Sequence, residues 1–328
     1  MMDNLSLAPA QQGQEEILAN IHNVGFRECI EQLGIMYEFR ENRRGDFKGL
    51  VLEPKVSLLV AFLDDIPVGY TCSRFVKLAE ENNICRVMFE PTESNLGQSR
   101  IVVLPEYRRR GIASALIRTS LENAKEKGAE IAFIYSHSDN TAASALLTEL
   151  GFVHDEVFYY PPYSNTKPYD HDNIYLELDL SQPAKRVPLN SDVKLKAPSV
   201  EDLPVLVRIF GECAPWAFGP SPSFEHVHNW LKEPWGEEQF AAVVDGEIVG
   251  VMEFSARGQL GVPGVLPEYQ RRGIGTTLLY YLLKRMQEKG YRRVLAETGI
   301  IAKDAISLYH RLGFRQVRAQ WRWHKILS

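Results

Sequence analysis

Two short stretches bring arginine, glycine and a small residue together at one spacing. They are Arg108-Arg109-Arg110-Gly111-Ile112-Ala113-Ser114 and Gln270-Arg271-Arg272-Gly273-Ile274-Gly275-Thr276. In each, an apolar stripe of helical period follows the glycine, so the turn stands where a strand hands over to a helix. Such a turn can bind an anion. The first turn of a helix leaves its N–H groups unpaired, and the helix dipole adds partial positive charge there. Small residues let a phosphate approach the backbone closely, and flanking arginines add charge-assisted contacts. Neither stretch has the GKS or GKT of a Walker loop or the GxGxxG of a dinucleotide fingerprint. A solvated basic turn is the competing reading for one copy alone; two copies in the same strand-to-helix context favour the phosphate cradle.

The repetition extends beyond the turns. LPEYRRRGIASALI (104–117) and LPEYQRRGIGTTLL (266–279) share nine of fourteen positions. Gly111 and Gly273 lie 162 positions apart, and so do Gly128 and Gly290, and the triplets Leu150-Gly151-Phe152 and Leu312-Gly313-Phe314. Upstream, LLVAFLDDIPVGYTCSRF (58–75) resembles QFAAVVDGEIVGVMEFSA (239–256) at an offset of 181, so the first copy carries 19 extra residues between hairpin and glycine turn. A duplicated domain with an insertion in its first copy accounts for both offsets.

Periodicity supplies the elements. SLLVAF and FAAVV, each followed by an Asp-containing turn, predict hairpin strands. Ile274, Leu278, Leu279, Leu282, Leu283 and Met286 mark one helix ending at Gly290, and Ile112, Leu116, Ile117, Leu121 and Ala124 mark its counterpart ending at Gly128. Ser199 with Asp202 is a variant capping box opening another helix. The fold class is α/β (α+β). The expected division is residues 1–182, a Pro-containing linker 183–197, and residues 198–328.

The 328 residues suit two domains, and 45% hydrophobic with 24% charged residues is ordinary globular composition. Net charge of −5 and no further basic–aromatic stripe argue against a nucleic-acid partner. Cys29, Cys72, Cys85 and Cys213 form no CxxC pair, which fits reduced thiols rather than a zinc site. The HxH at 226–228 lacks a third ligand at suitable spacing, so no metal is expected. The start, MMDNLSLAPAQQGQEE, has no secretion-signal pattern, and VSLLVAFL is too short to span a bilayer. No membrane association and a cytoplasmic location are expected.

On these motifs the chain resembles the GNAT superfamily of acetyl-CoA-dependent N-acetyltransferases, carried as two tandem domains. Its (Arg/Gln)-x-x-Gly-x-(Gly/Ala) loop is matched by Arg108, Gly111, Ala113 and by Gln270, Gly273, Gly275. The preceding phrase is matched by Val103-Leu104-Pro105-Glu106-Tyr107 and Val265-Leu266-Pro267-Glu268-Tyr269. The family's Asn-x-x-Ala-x-x-Leu-Tyr-x-x-x-Gly-Phe segment divides between the copies. The first keeps Asn140, Ala143 and Leu146 but has Leu147 for tyrosine; the second keeps Ala305, Leu308 and Tyr309 but has Ala302 for asparagine. The tandem organisation is similar to that of the mycothiol synthases.

The resemblance implies, for each domain, a mixed, mostly antiparallel sheet flanked by helices and split by a gap that receives acetyl-CoA. It implies pantetheine pairing beside Val103 or Val265, and diphosphate on the loop from Arg108 through Ser114, or from Gln270 through Thr276. Asn140 joins the coenzyme-binding set. Acetyl transfer to an amine needs an N–H donor for the thioester oxygen, given to Val265 or Leu266, and a hydroxyl for the leaving sulfur, given to Tyr309. Glu253 and Glu297 are the candidate bases. The second copy is thereby the catalytic one, and the first, with Leu147, binds acyl-CoA or is structural. The alternative is a non-catalytic acyl-CoA-binding regulator. Trp216, Phe218, Trp230 and Trp235, among Glu225, Glu233, Glu237 and Glu238, suit a cationic small-molecule or peptide amine. The stretch 157–175 is a candidate cleft wall or homodimer contact.

Overall fold

The computed structural model describes residues 4–33, 44–77, 85–89, 101–159, 170–182, 185–214, 221–232, 238–261 and 264–327. They form two compact units: Met1–Asp172 with Gln320–Ser328, and Asn173–Ala319.

In the first unit the order is β1 (Leu5–Pro9), α1 (Glu15–Leu33), α2 (Arg44–Leu52), β2 (Val56–Leu63), β3 (Ile66–Lys77), β4 (Cys85–Phe89) and β5 (Ile101–Val103). Then come α3 (Ile112–Glu126), β6 (Ile131–His137), α4 (Thr141–Glu149), β7 (Val153–His154), β8 (Val157–Phe158) and β9 (Asp170–His171). In the second unit the order is β10 (Asn173–Asp179), β11 (Lys194–Lys196), α5 (Leu203–Cys213), α6 (Phe224–Lys232), β12 (Glu238–Val244), β13 (Glu247–Phe254) and β14 (Gly264–Val265). It continues through α7 (Ile274–Glu288), β15 (Arg293–Gly299), α8 (Lys303–Leu312) and the start of β16 (Arg315–Ile326). From Gln320 onward β16 belongs to the first unit.

The first unit's sheet runs β1-β2-β3-β4-β6-β16, with β5 paired to β3 and β7 to β16. Among the described residues only the β4–β6 pairing of this sheet is parallel. β16 lies antiparallel on β6, Gln320 opposite His137 through Ile326 opposite Ile131. In the second unit β11-β12-β13-β14 form one antiparallel sheet, and β10 pairs antiparallel with β15 from Asn173↔Gly299 to Asp179↔Arg293. Each unit is thus completed by a strand from the far end of the other copy's sequence. The expected linker falls inside the second unit, where its residues Lys194–Lys196 pair with β12.

The paired hairpins fold for the same local reason. Asp64-Asp65 and Asp245-Gly246 all have positive φ, the type I′ turn that matches the twist of its flanking strands. Both faces of β2 are covered. Leu58 and Val60 meet Leu18, Ile21 and Phe47 of α1 and α2; Leu59 and Ala61 meet Ile112 and Leu116 of α3. In the second unit α5 and α6 place Leu206, Ile209, Phe210 and Trp230 on Ala241, Ile248 and Val251. The stripe expected on α7 is buried in full.

One crossing is solved twice with the parts exchanged. A Cβ on Gly25 of α1 would lie 2.5 Å from Val102 of β5. A Cβ on Gly264, at Val102's place in the repeat, would lie 2.9 Å from the Cys213 Cβ of α5. The helix carries the small residue in one copy and the strand carries it in the other.

Candidate functional site

The two cradles share one backbone. After β5 and β14 the chain makes a single 3₁₀ turn, Pro105–Tyr107 or Pro267–Tyr269. Arg109 and Gly111 then have φ of 61° and 75°, and Arg271 and Gly273 have 59° and 76°. Alternation of this kind makes a concave row of N–H groups, an anion-binding nest. Gly111 and Gly273 are the N-caps of α3 and α7, and neither helix has a side-chain cap. Ile112 and Ile274 are buried, so those positions offer backbone only; Ala113 and Gly275 keep the first turn slim.

The arginines divide their tasks. Arg108 is turned inward, donating from Nε to the Val103 carbonyl at 3.0 Å and from Nη2 to the Gly25 carbonyl at 2.8 Å. Gln270 likewise donates to the Val265 carbonyl at 2.9 Å. These two side chains fasten the loop to its strand. Arg110 and Arg272 lie over the rings of Tyr107 and Tyr269 at 5.5 and 5.1 Å. Arg109 and Arg271 are exposed at the loop tip, with Arg271 paired at 2.9 Å to Asp304.

β5 pairs with β3 and β14 with β13, and among the described residues neither is joined to a strand on its other side. Leu104 and Leu266 donate their N–H inward to Val68 and Val249, both at 2.9 Å. Leu266 is therefore engaged and is removed as the N–H donor for a thioester oxygen. Neighbouring residues of an antiparallel strand direct their N–H groups to opposite edges, which leaves Val265, and Val103 in the first unit, facing outward. The Cys213 thiol contacts the Val265 carbonyl at 3.3 Å. Burial first, then the nearby Glu212 and Glu268, push this thiol up to about 11, so it is a hydrogen-bond donor and not a nucleophile at neutral pH.

Tyr309 sits on α8, 2% exposed, with its ring 5.2 Å from Phe314. Burial raises its pKa to about 12, so the hydroxyl is protonated across the physiological range. Leu147, its counterpart, is packed among Ile117, Ile134 and Trp323. Glu253 on β13 is 3% exposed, and Gly261 crosses it so closely that a Cβ there would lie 2.2 Å from the Glu253 Cγ. Glu297 on β15 accepts from Asn173 of β10 at 2.8 Å.

Asn140 is the N-cap of α4, accepting from the Ala143 N–H at 3.0 Å. Ala302 holds the same place on α8 without a side-chain cap. Asn140→Ala is expected to cost about 1 kcal/mol of stability and Ala302→Asn to add a comparable amount, readable as opposite shifts in urea midpoint.

Of the aromatic–acidic segment, Trp216, Phe218, Glu233, Trp235 and Glu237 lie outside the described residues. Trp230 is a core residue packed edge-on against Phe210 at 4.8 Å. Glu225 is exposed on α6. Glu238 is tied to Arg285 and Lys289 at 3.0 and 2.7 Å; burial opposes its charge, but these two hydrogen-bonded cations outweigh that and hold its carboxyl below the usual range. His226 and His228 belong to no group of three or more metal-ligand residues among the described residues. Residues 160–169 of the expected cleft wall are likewise outside the description.

The structure adds polar groups that the sequence reading missed. In the first unit His154 Nε2 meets Asp172 Oδ2 at 2.8 Å and stacks on Trp321, while Arg322 lies 3.9 Å over the Tyr135 ring. Trp321 and Arg322 come from more than 160 residues downstream of the residues they meet, so no local pattern announces these contacts. Asn190, beside the second cradle, was hidden in the linker. Among the described residues no helix is long and apolar enough to cross a membrane.

The family model "Acetyltransferase (GNAT) family" matches residues 19–152 and again 203–314. A mycothiol acetyltransferase of Renibacterium salmoninarum is 24% identical over 69% of this chain and 65% of its own length. An N-alpha-acetyltransferase 30 of Dictyostelium discoideum is 29% identical over 32% of this chain and 60% of its own. The chain thus spans less than two thirds of these two relatives. Among solved structures, a tandem GNAT protein from the clavulanic acid biosynthesis pathway superposes with a TM-score of 0.63, covering 99% of both chains at 15% identity. The twofold family match, falling on the two loops just described, shows that this chain belongs to the GNAT acetyltransferase family and carries its domain twice.

Proposed function

We propose that the protein transfers an acetyl group from acetyl-CoA to a primary amine of a small molecule or peptide, and that the second unit performs the reaction. The observation that carries this is the pairing of an uncapped cradle with a buried phenol: Gly273 and Tyr309 in the second unit, against Gly111 and Leu147 in the first. Both cradles fit a diphosphate; one of them also has a hydroxyl to offer sulfur.

Acetyl-CoA supplies the activated thioester. The amine nitrogen attacks the carbonyl carbon, the outward N–H of Val265 receives the developing oxyanion, and the C–S bond breaks as the C–N bond forms. A thiol ordinarily titrates at about 8.5, well below Tyr309, so proton transfer from the phenol to sulfur is uphill. Tyr309 therefore stabilises the departing thiolate by hydrogen bonding. The proton lost by the amine goes to the base, which we assign to Glu253, buried on the strand beside β14. Glu297, held by Asn173, takes the lesser place. The named relatives act on different acceptors, so the amine is defined here by class alone.

Thiol release from acetyl-CoA against a panel of amines tests the reading. Tyr309→Phe is expected to lower kcat about 100-fold with the KM for acetyl-CoA within about twofold; full kcat in that variant removes Tyr309 from the mechanism. Binding of acetyl-CoA without turnover of any amine makes the protein the regulator instead. Because the pKa of Tyr309 is raised on folding, its neutral burial stabilises the fold below about pH 10 and is lost between 10 and 12. Tyr309→Phe should remove that alkaline loss.

A further inference from the structure

Within the second unit, the described residues between β10 and β11 form a strap held to α7 at two places. At one end Gln287, late in α7, donates to the Leu180 carbonyl at 2.9 Å and the Gln182 carbonyl at 3.3 Å. At the other end Asn190 donates its N–H to Thr277 Oγ1 at 2.8 Å and its Nδ2 to the Arg272 carbonyl at 2.9 Å. The strap thus travels antiparallel to the helix and ends on the cradle. Asn190 is itself held, its Oδ1 accepting from the Asp192 N–H at 2.9 Å.

We infer that Asn190 is a positioning residue for the second cradle, setting the direction of its diphosphate-binding amides; this rests on the coenzyme reading given above. A trans peptide is planar, and its C=O and N–H point in opposite directions. Anchoring the Arg272 carbonyl to Asn190 therefore fixes where the Gly273 N–H points. The anchor acts at the residue between the two positive-φ positions, 271 and 273, where no side-chain cap steadies the helix start. The Thr277 hydroxyl, 1% exposed as a residue, pins the strap one turn further on.

Among the described residues the first unit shows no such arrangement. Ala115 stands at the place of Thr277 in the repeat and has no oxygen to receive a strap. Its loop is instead steadied from the other side, where Arg108 reaches the Gly25 carbonyl on α1; Gln270 replaces that arginine in the second copy. The two cradles share a shape and differ in what holds it. Each loop is fastened to its own strand by its leading side chain, but the first is further tied to α1 through Arg108, and the second to the segment that joins the copies through Asn190.

The test uses the full chain with Gly111→Glu as background, so that calorimetry with acetyl-CoA reads the second cradle. Asn190→Ala is expected to raise Kd about tenfold, as the loss of one or two net hydrogen bonds of ~1 kcal/mol would. In the activity assay the KM for acetyl-CoA should rise by the same factor while kcat at saturation stays within about twofold. Thr277→Val should behave as Asn190→Ala does, and Thr277→Ser, which keeps the acceptor oxygen, should restore wild-type affinity. Unchanged affinity in a folded Asn190→Ala variant overturns the latch and leaves the coenzyme reading standing. Absence of acetyl-CoA binding in the Gly111→Glu background itself, with Asn190 intact, overturns both.

Discussion

Turnover falls about 100-fold or more when Gly273 is replaced by glutamate, and most of it survives the same change at Gly111. Gly273 has a φ of 76°, a conformation costing an L-residue roughly 1–2 kcal/mol. The new side chain would start 3.7 Å from the Asn190 Cβ and bring a carboxylate to the helix start proposed above to receive the diphosphate. Loss of the dipole attraction and gain of like-charge repulsion act together there. Steady-state kcat/KM on acetyl-CoA for the two variants reads the result. Gly111→Glu perturbs an equivalent loop equally but leaves the unit with Tyr309 intact. If instead Gly111→Glu abolishes turnover and Gly273→Glu spares it, the assignment of the units is reversed.

Removing residues 320–328 is expected to unfold the first unit selectively. Gln320–Ile326 form the full ladder on β6. Trp323 and Leu327 sit in the core with Leu121, Ile134 and Phe152, and Trp323 donates to Ser136 at 2.8 Å. Loss of a buried Trp alone costs about 3–5 kcal/mol, a large part of a domain's stability. Hydrogen exchange should show protection lost in β6 and α4, at residues 131–149, and retained in β12 and β13. Loss confined to residues 203–312 would show that the last strand belongs to the second unit.

Much of the fold was written locally. The Asp-containing turns at 64–65 and 245–246, the stripes of α3 and α7, and the glycines closing them are decided by neighbouring residues, and the sequence states them in both copies. The cradles were legible for the same reason. The strand exchange was not. RQVRAQWRWHKI reads as a strand, but alternation does not name a strand's partner, and β6 lies almost two hundred residues upstream. Arg108 was legible as a loop arginine but not as an inward clamp, because its direction depends on the Gly25 carbonyl of α1. Asn140 was legible as a family position, while its capping role needed the start of α4. Asn190 gave no signal because a linker has no period from which to depart.

The exchanged strands also bear on how the polypeptide reaches its native state. Domains commonly fold in order as they leave the ribosome. Here residues 1–172 emerge first, yet the strand Gln320–Ile326 that completes their sheet follows the whole of the second unit. The first unit must wait with one side of β6 unpaired until residues 173–319 have been synthesised. Closure over so long a separation is slow, so nascent chains of this protein are expected to depend on chaperones for that interval, and neither copy can be released from the other by simple gene fission.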